Sequence, residues 1–301
     1  MKTSLVMATY NGMEYLREQL DSVVNQSLPV DEVIIRDDCS TDGTPLFIQN
    51  YIRDNHLENW RIELNESNLG YKKTFTRLLH EASNEIIFLA DQDDVWEHEK
   101  VKIMLGVMEE NASVLLLASD FSLLYMSKNA PRVYFEKIDK PLKKYGFCAK
   151  WIKPVRPGCC FAIRRELLLD YDKFWTADMP HDCALWNVAS LRNASYCIDS
   201  KLIRYRRHEQ NASNLGAHDI EYRAKCIEQE IGLIDRSLSM VTSVPERNFL
   251  EKQKQVYKSR VSALRAGRLL QTIMLGFQKQ YYGMSRYALT DIYYCLKRKL
   301  L

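Results

Sequence analysis

Apolar and polar positions come in blocks along the first part of the chain, and the blocks switch period in a regular way. Ser4 to Ala8 is a short apolar run that stops at Thr9-Tyr10-Asn11-Gly12, a polar break containing glycine. Met13 to Val24 carries Leu16, Leu20, Val23 and Val24 at helical spacing. Val33-Ile34-Ile35 is a β-branched run that ends in Arg36-Asp37-Asp38-Cys39-Ser40-Thr41-Asp42-Gly43-Thr44. The pattern predicts a helix from there to about Asn55, with Thr41 or Asp42 as its cap. It further predicts a strand over Trp60 to Leu64 and, after the break at Asn68-Leu69-Gly70, a helix from about Lys72 to Ala82. A wholly apolar strand at Ile86 to Ala90, a helix at about Glu99 to Glu110 and a buried strand at Val114 to Ala118 follow. Alternation of this kind predicts an α/β fold: a mostly parallel central sheet, helices on both faces and right-handed crossovers.

The apolar run at Ile86 ends in Asp91-Gln92-Asp93-Asp94, three carboxylates within four residues. Crowded carboxylates repel unless positive charge lies between them, and hard divalent cations take oxygen ligands. A plainer reading makes Asp93 or Asp94 the cap of the next helix, although one carboxylate would suffice for that. In parallel sheets ligands bind outside the carboxyl ends of strands. The topology brings three such ends to one edge: Thr9-Tyr10-Asn11, Asp37-Asp38 and Asp91-Asp93-Asp94. That edge describes a pocket for a polar, anionic, metal-bound ligand. No G-x-G-x-x-G follows the first strand and no G-x-x-x-x-G-K-[ST] occurs, so phosphates would be held by a metal and side chains instead of a glycine cradle.

The second half is less regular. Pro131, Pro141, Lys143-Lys144 and Gly146 mark loops between Ser119 and about Lys153. Pro157-Gly158-Cys159-Cys160-Phe161-Ala162-Ile163 is a tight break and a strand. Gly158 there is either a simple turn residue or a place where a ligand or another backbone comes close. Arg164 to Leu168 begins a helix. In Met179-Pro180-His181-Asp182-Cys183-Ala184-Leu185-Trp186 the proline precedes a helix, and Asp182 falls at its cap or first turn. Capping and chemistry both fit that carboxylate. Lys201 to Arg206 alternates as a strand and delivers His208 with Arg204, Arg206 and Arg207 around it. From about Asp219 the pattern is helical to the end.

Composition is that of an ordinary globular chain, 46% hydrophobic and 27% charged. Net charge is +3, but residues 251–301 hold eleven Lys/Arg against Glu251 and Asp291, a net of +9 that leaves −6 for the rest. The segment from Arg265 combines that excess with Leu269, Leu270, Ile273, Met274, Leu275, Phe277, Tyr281 and Tyr282. It reads equally as an interfacial amphipathic helix on an anionic inner leaflet, as a packed bundle, or as a dimer interface. Eight cysteines without a C-x-x-C pair give no support to zinc or a disulfide framework. No secretory pattern and no spanning apolar run stand out, so a cytoplasmic location, on the inner face of the plasma membrane if the basic helices bind lipid, is expected.

Ala8-Thr9-Tyr10-Asn11-Gly12, the Asp37-to-Thr44 block, Asn68-Leu69-Gly70 and Asp91-Gln92-Asp93-Asp94, in this order, resemble the nucleotide-sugar half of family 2 glycosyltransferases of the GT-A fold. The Asp-Gln-Asp-Asp-Val-Trp wording is most similar to bacterial rhamnosyltransferase-like members. The resemblance implies a donor site: Asp38 on the pyrimidine N–H, Thr9, Tyr10 and Asn11 along base and ribose, Asp91 at the ribose, and Asp93 on a Mn²⁺ or Mg²⁺ ion that bridges the diphosphate. Asp94 is then a second ligand or a neighbour of the first, and Lys72 or Lys73 reaches the nucleotide. Asp182 would be the general base, with Gly158, His181 and Trp186 on the acceptor side. His208 would touch the cation, with Arg206 or Arg207 on phosphate.

Residues 1–215 would form the catalytic domain, about 1–118 for the donor and about 119–215 for the acceptor, with 216–301 a basic helical extension. Processive synthases of the resembled family carry Gln-x-x-Arg-Trp after this carboxylate; no such motif follows Asp182, so the resemblance implies addition of one sugar per encounter. The expected function is inverting, metal-dependent transfer from dTDP-rhamnose or a UDP-hexose to a hydroxyl of a growing lipid-linked or cell-surface glycan, without nucleic acid as partner. A sugar nucleotidyltransferase, or a nucleotide-sugar-binding protein without turnover, are the alternatives.

Overall fold

The computed structural model describes residues 1–130, 132–147, 151–209, 219–282 and 285–300. It divides into two compact units, Met1–Gly146 with Pro154–Ala212, and Phe147–Lys153 with Ser213–Leu301. The boundary expected at 215/216 lies outside the described residues.

In the first unit strand β1 (Thr3–Thr9), helix α1 (Met13–Val24), β2 (Glu32–Asp37), α2 (Thr44–Asp54), β3 (Trp60–Leu64), α3 (Tyr71–Glu81) and β4 (Ile86–Ala90) follow the predicted alternation. All five residues of β4 are buried, which is what an uninterrupted apolar run requires of a central strand. β5 (Val95–Trp96), α4 (Lys100–Glu110), β6 (Leu116–Tyr125), β7 (Leu142–Lys144), β8 (Phe161–Arg164), α5 (Leu168–Phe174), α6 (His181–Leu191) and β9 (Ser195–Arg207) complete the unit.

The sheet runs β3-β2-β1-β4-β8-β6-β9-β5, with β7 also on β9. The first four strands are parallel. Beyond β4 the sheet is mixed: β8 is antiparallel to β4 and β6, β9 is parallel to β6, and β5 and β7 are antiparallel to β9. The run of parallel neighbours from β3 therefore stops at β4, and beside the long β6 and β9 stand β5, β7 and β8, of two to four residues, too short to show a clear period.

Two expected caps are replaced. Gly43, with φ +90°, is the N-cap of α2. Asp42 instead accepts from the Thr44 N–H at 3.0 Å, the Thr44 hydroxyl at 2.6 Å and the Met13 N–H at 3.1 Å. Its carboxylate builds a turn and ties α1 to α2. None of the aspartates at 91–94 caps α4, which starts at Lys100 behind Glu99, because β5 intervenes.

The second unit holds α7 (Ile220–Met240), α8 (Val244–Arg265), α9 (Leu269–Gly276), α10 (Lys279–Tyr282) and α11 (Ser285–Leu300). Its interior is built on a buried ion cluster. Asp291 accepts from Arg223 Nε at 2.8 Å and Arg260 Nε at 2.9 Å. The Arg260 guanidinium lies 4.6 Å from the Tyr257 ring centre and 4.0 Å from that of Tyr282. Such clusters are costly to break from one side, because the remaining charge stays buried. Residues 147–153 join these helices: the Trp151 indole donates to Gln253 at 3.0 Å and Lys153 pairs with Glu230 at 2.6 Å. None of the described cysteines forms a disulfide. Among the described residues no helix is long and apolar enough to cross a membrane. Asp291→Ala should destabilise the helical unit by about 3–5 kcal/mol, measured by denaturant unfolding followed at 222 nm; a loss below about 1 kcal/mol would show that the cluster is not what holds these helices together.

Candidate active site

Three loops leave the sheet side by side. Thr9 pairs with Asp37 across β1 and β2, and Met7 with Ala90 across β1 and β4, so residues 10–12, 38–44 and 91–94 emerge at one edge. Side chains stitch these loops together. Gln92 accepts from the Tyr10 N–H at 2.8 Å and donates to the Tyr10 carbonyl at 3.0 Å, which extends the β1–β4 pairing through a side chain. A Cβ on Gly12 would stand 2.5 Å from Gln92 Oε1, so only glycine leaves that amide its place. Asn11, at φ +46°, accepts from the Thr41 N–H at 2.8 Å, and its own N–H donates to Ser40 at 2.8 Å. Tyr10 is left half exposed at the edge.

Asp37 and Asp38 face inward. Asp37 accepts from the Thr9 hydroxyl at 2.9 Å and the Ser40 N–H at 2.8 Å. Asp38 Oδ1 accepts from Leu69 N–H at 2.7 Å and Asn65 Nδ2 at 2.8 Å, and Oδ2 from Gly70 N–H at 2.8 Å. The Asn68-Leu69-Gly70 break is thus the backbone cradle of Asp38. Three bonds out of roughly four lone-pair positions leave one for a ligand. Thr9 is buried with its hydroxyl committed to Asp37. Lys72 donates to the Asp178 carbonyl at 2.5 Å.

β9 arrives against the acidic turn. The Arg206 N–H donates to Asp94 Oδ1 at 2.9 Å, and Arg206 Nε donates to the Asp93 carbonyl at 2.6 Å. The same guanidinium pairs with Glu18 and lies 4.6 Å from the Tyr15 ring centre. His208 Nε2 is 2.8 Å from Asp93 Oδ2, and its ring packs at 5.0 Å on Tyr15. Asp93 and His208, each expected from the resemblance to touch a cation, are thus in direct contact with each other. Asp91, Asp94 and Cys159 form a second cluster, each offering a donor atom within 4.8 Å of the others.

On the opposite wall the 3-10 turn Gly158–Cys160 backs onto the start of α6. A Cβ on Gly158 would come 2.9 Å from Asp182 Cβ and 3.2 Å from His181 Nε2. Of the two readings of this glycine, close approach is the one the structure carries. Asp182 is in the first turn of α6 behind Pro180, and its Oδ1 accepts the Cys183 N–H at 2.8 Å.

The charges are close enough to feel one another. Burial, then the charges of Asp93 and Asp182, push the Asp91 carboxyl up to about 7. Asp94 is raised by burial, Asp93 and Asp91 in the same order. Burial also holds the Cys159 thiol well above its ordinary range, so it stays protonated and is a poor partner for a hard cation. Burial lowers His181 to about 4, which keeps it neutral.

Three expected contacts are corrected. Trp186 is 0% exposed between the Tyr145 and Phe161 rings, a core residue with no face for an acceptor. His181 is buried and stacked at 4.0 Å on Phe75, so it supports Gly158 and Asp182 from behind. Arg207 is wholly buried, 3.4 Å from the Tyr205 hydroxyl, and Arg206 is spent on Asp93 and Glu18, so neither presents itself to a phosphate.

The model for glycosyl transferase family 2 matches residues 4–172. The chain belongs to glycosyl transferase family 2. This glycosyltransferase is 30% identical over 242 residues to the dTDP-rhamnosyl transferase RfbG of Shigella flexneri, covering 76% of this chain and 78% of that one. Its fold matches Staphylococcus aureus TarS 1-349 in complex with UDP at TM-score 0.63 and 18% identity, over 98% of this chain and 89% of that one. It also matches the mannosyltransferase PcManGT of Pyrobaculum calidifontis, solved with GDP-Man and Mn²⁺, at TM-score 0.58 and 15% identity, over 99% and 88%. The GT-A architecture is thereby shown, and the enzyme acts on nucleotide sugars. The nucleotidyltransferase and silent-binder alternatives give way to it.

Several residues that build the glycosyltransferase site escaped sequence reasoning. Tyr15, Glu18 and Gln19 lie on one side of α1; Gln19 donates to the Asp91 carbonyl at 2.9 Å. A glutamine between Leu16 and Leu20 on the apolar face was the available signal. Cys159 gave none, since a buried thiol looks like any small apolar residue.

The raised Asp91 carboxyl has a pH signature. Its folded value lies above the ordinary 3.8, so the unfolded chain ionises first and the fold loses stability as pH rises from about 4 to about 7. In EDTA, Asp91→Asn should therefore be more stable than wild type at pH 8 by about 1–2 kcal/mol and no more stable at pH 4. Thermal unfolding at both pH values checks this.

Proposed function

We propose that this glycosyltransferase is an inverting, metal-dependent, non-processive enzyme that transfers a sugar from dTDP-rhamnose or a UDP-hexose to a hydroxyl of a growing cell-surface glycan. The observation that carries the reading is the placement of Asp182. It lies across the turn at Gly158 and close enough to Asp91 for its charge to add to burial in raising that carboxyl.

The residues fit a divalent cation. Asp93 and His208 meet at 2.8 Å with oxygen and imidazole donors, and a divalent ion would offset both the burial and the neighbouring charges that raise Asp91. Asp93 and His208 would hold Mn²⁺ or Mg²⁺, with Asp91 beside them, and the bound ion supplies neutralisation of the charge developing on the departing diphosphate. The remaining roles belong to the chain. Asp38 uses its remaining acceptor position for the pyrimidine N–H, with Tyr10 and Asn11 along the base and ribose. The Asp182 carboxylate takes the proton of the acceptor hydroxyl as that oxygen bonds to the anomeric carbon. The bond from the anomeric carbon to the diphosphate oxygen breaks on the opposite face, and the electron pair leaves with the nucleoside diphosphate. Gly158 keeps this wall narrow, and His181, neutral and stacked on Phe75, fixes the helix end that carries the base. The similarity to a dTDP-rhamnosyl transferase supports dTDP-rhamnose as donor.

Asp182→Asn should lower kcat/KM for sugar transfer by about 10²–10⁴-fold while calorimetric binding of the nucleoside diphosphate stays unchanged. Transfer within threefold of wild type would remove Asp182 from the role of base. Asp93→Ala should abolish the Mn²⁺-dependent part of dTDP or UDP binding; titrations with and without the ion, compared with wild type, measure it.

A further inference from the structure

Trp186 and His181 are core side chains, so neither gives the sugar side of the site an aromatic surface. Helix α3 supplies one. Its first residue is Tyr71, directly after the break whose Leu69 and Gly70 N–H groups hold Asp38. Tyr71 and Phe75 are one turn apart and share a face of α3. Both meet His181, Phe75 by stacking at 4.0 Å and Tyr71 edge-on at 6.2 Å. Phe75 is 4% exposed and Tyr71 45%, so this face runs from the core out to solvent beside His181 and Asp182. Lys72 ties the same end of α3 to the loop ahead of α6 through the Asp178 carbonyl, which fixes Tyr71 against that wall.

The phenol belongs to the same electrostatic neighbourhood as the acidic turn. Burial raises it, and the charges of Asp182 and then Asp91 raise it further. Exposed aromatic side chains are ordinary on protein surfaces. This one is set apart because its ring edge meets His181 and its hydroxyl is within electrostatic reach of Asp182 and Asp91. The sugar of a bound donor has to lie between the diphosphate at the acidic turn and the acceptor hydroxyl at Asp182. A pyranose has a polar rim and C–H faces. Carboxylates can hold only the rim, whereas an aromatic ring with one polar end matches a C–H face.

We propose that Tyr71 is a donor-sugar contact: its ring packs on a C–H face of the pyranose to be transferred and turns the anomeric carbon toward Asp182. This role depends on Asp93 and Asp182 serving as cation ligand and base.

Calorimetry in Mn²⁺ tests it with two pairs of probes, dTDP-rhamnose with dTDP and UDP-glucose with UDP. Tyr71→Ala should weaken the nucleotide sugar that wild type binds by about tenfold. It should leave the matching nucleoside diphosphate unchanged, which also shows that the fold and the nucleotide pocket are intact. Tyr71→Phe should recover most of the lost affinity, because the ring and not the hydroxyl packs on the sugar. Equal loss for nucleotide and nucleotide sugar would make Tyr71 a nucleotide contact or a structural residue and overturn the proposal. Donor binding equal to wild type in Tyr71→Ala, with a raised acceptor KM, would overturn it in favour of the acceptor; donor binding and transfer both equal to wild type would overturn it outright. If wild type itself shows no Mn²⁺-dependent binding of any of the four probes, the donor site assigned to Asp38 and Asp93 fails, and the role of Tyr71 fails with it.

Discussion

Three carboxylates at the end of one buried strand are the constraint around which the catalytic unit is arranged. Left alone, Asp91, Asp93 and Asp94 would repel each other apart or recruit protons, and the carboxyls of Asp91 and Asp94 are raised first by burial and then by their charged neighbours. Donors delivered by other elements hold the turn in place. Arg206 gives its backbone N–H to Asp94 and its side chain to the Asp93 carbonyl, His208 meets Asp93, and Gln19 takes the Asp91 carbonyl. Strand β9 is long because it must reach from the sheet edge to this turn. Helix α1 carries polar residues on an otherwise apolar face for the same reason.

Two glycines set how narrow the site can be. Gly12 lets the Gln92 amide continue the sheet pairing onto Tyr10, and Gly158 lets the turn before β8 press on Asp182. Each replaces a side chain by a close contact between two loops. The loops are consequently held by bonds internal to the protein before a donor arrives, so less conformational freedom is lost on binding.

The parallel half of the fold and the acidic turns were legible because long apolar runs and their polar ends leave an unmistakable period: β1, β3, β4 and α1 occur where the pattern places them. Less of the second half was: the strands at Phe161–Ile163 and Lys201–Arg206 could be read, whereas β5 and β7, with two and three residues, exist through their pairing with β9. That three strand ends meet at one edge was readable from topology; His208, 115 positions from its contact Asp93, was singled out by the resemblance. Orientation was not. Trp186 and Arg207 stand next to good candidates in sequence, yet alternation or helix phase turns both into the interior. Asp42 shows the same limit on a smaller scale, since a cap and a turn differ by one residue of phase.

The short stretch Phe147–Lys153 belongs to the helical unit although it interrupts the catalytic one. The Trp151 indole and its Gln253 partner are 102 residues apart along the chain. At ordinary rates of synthesis roughly 5–20 s separate the emergence of the two. Through that interval a tryptophan that ends up wholly buried has no place to go. The carboxyl-terminal helices therefore cannot be regarded as a tail appended to a finished enzyme: the chain commits to them halfway through its translation, and a ribosome that stopped before α8 would release a product with an unfilled hydrophobic debt.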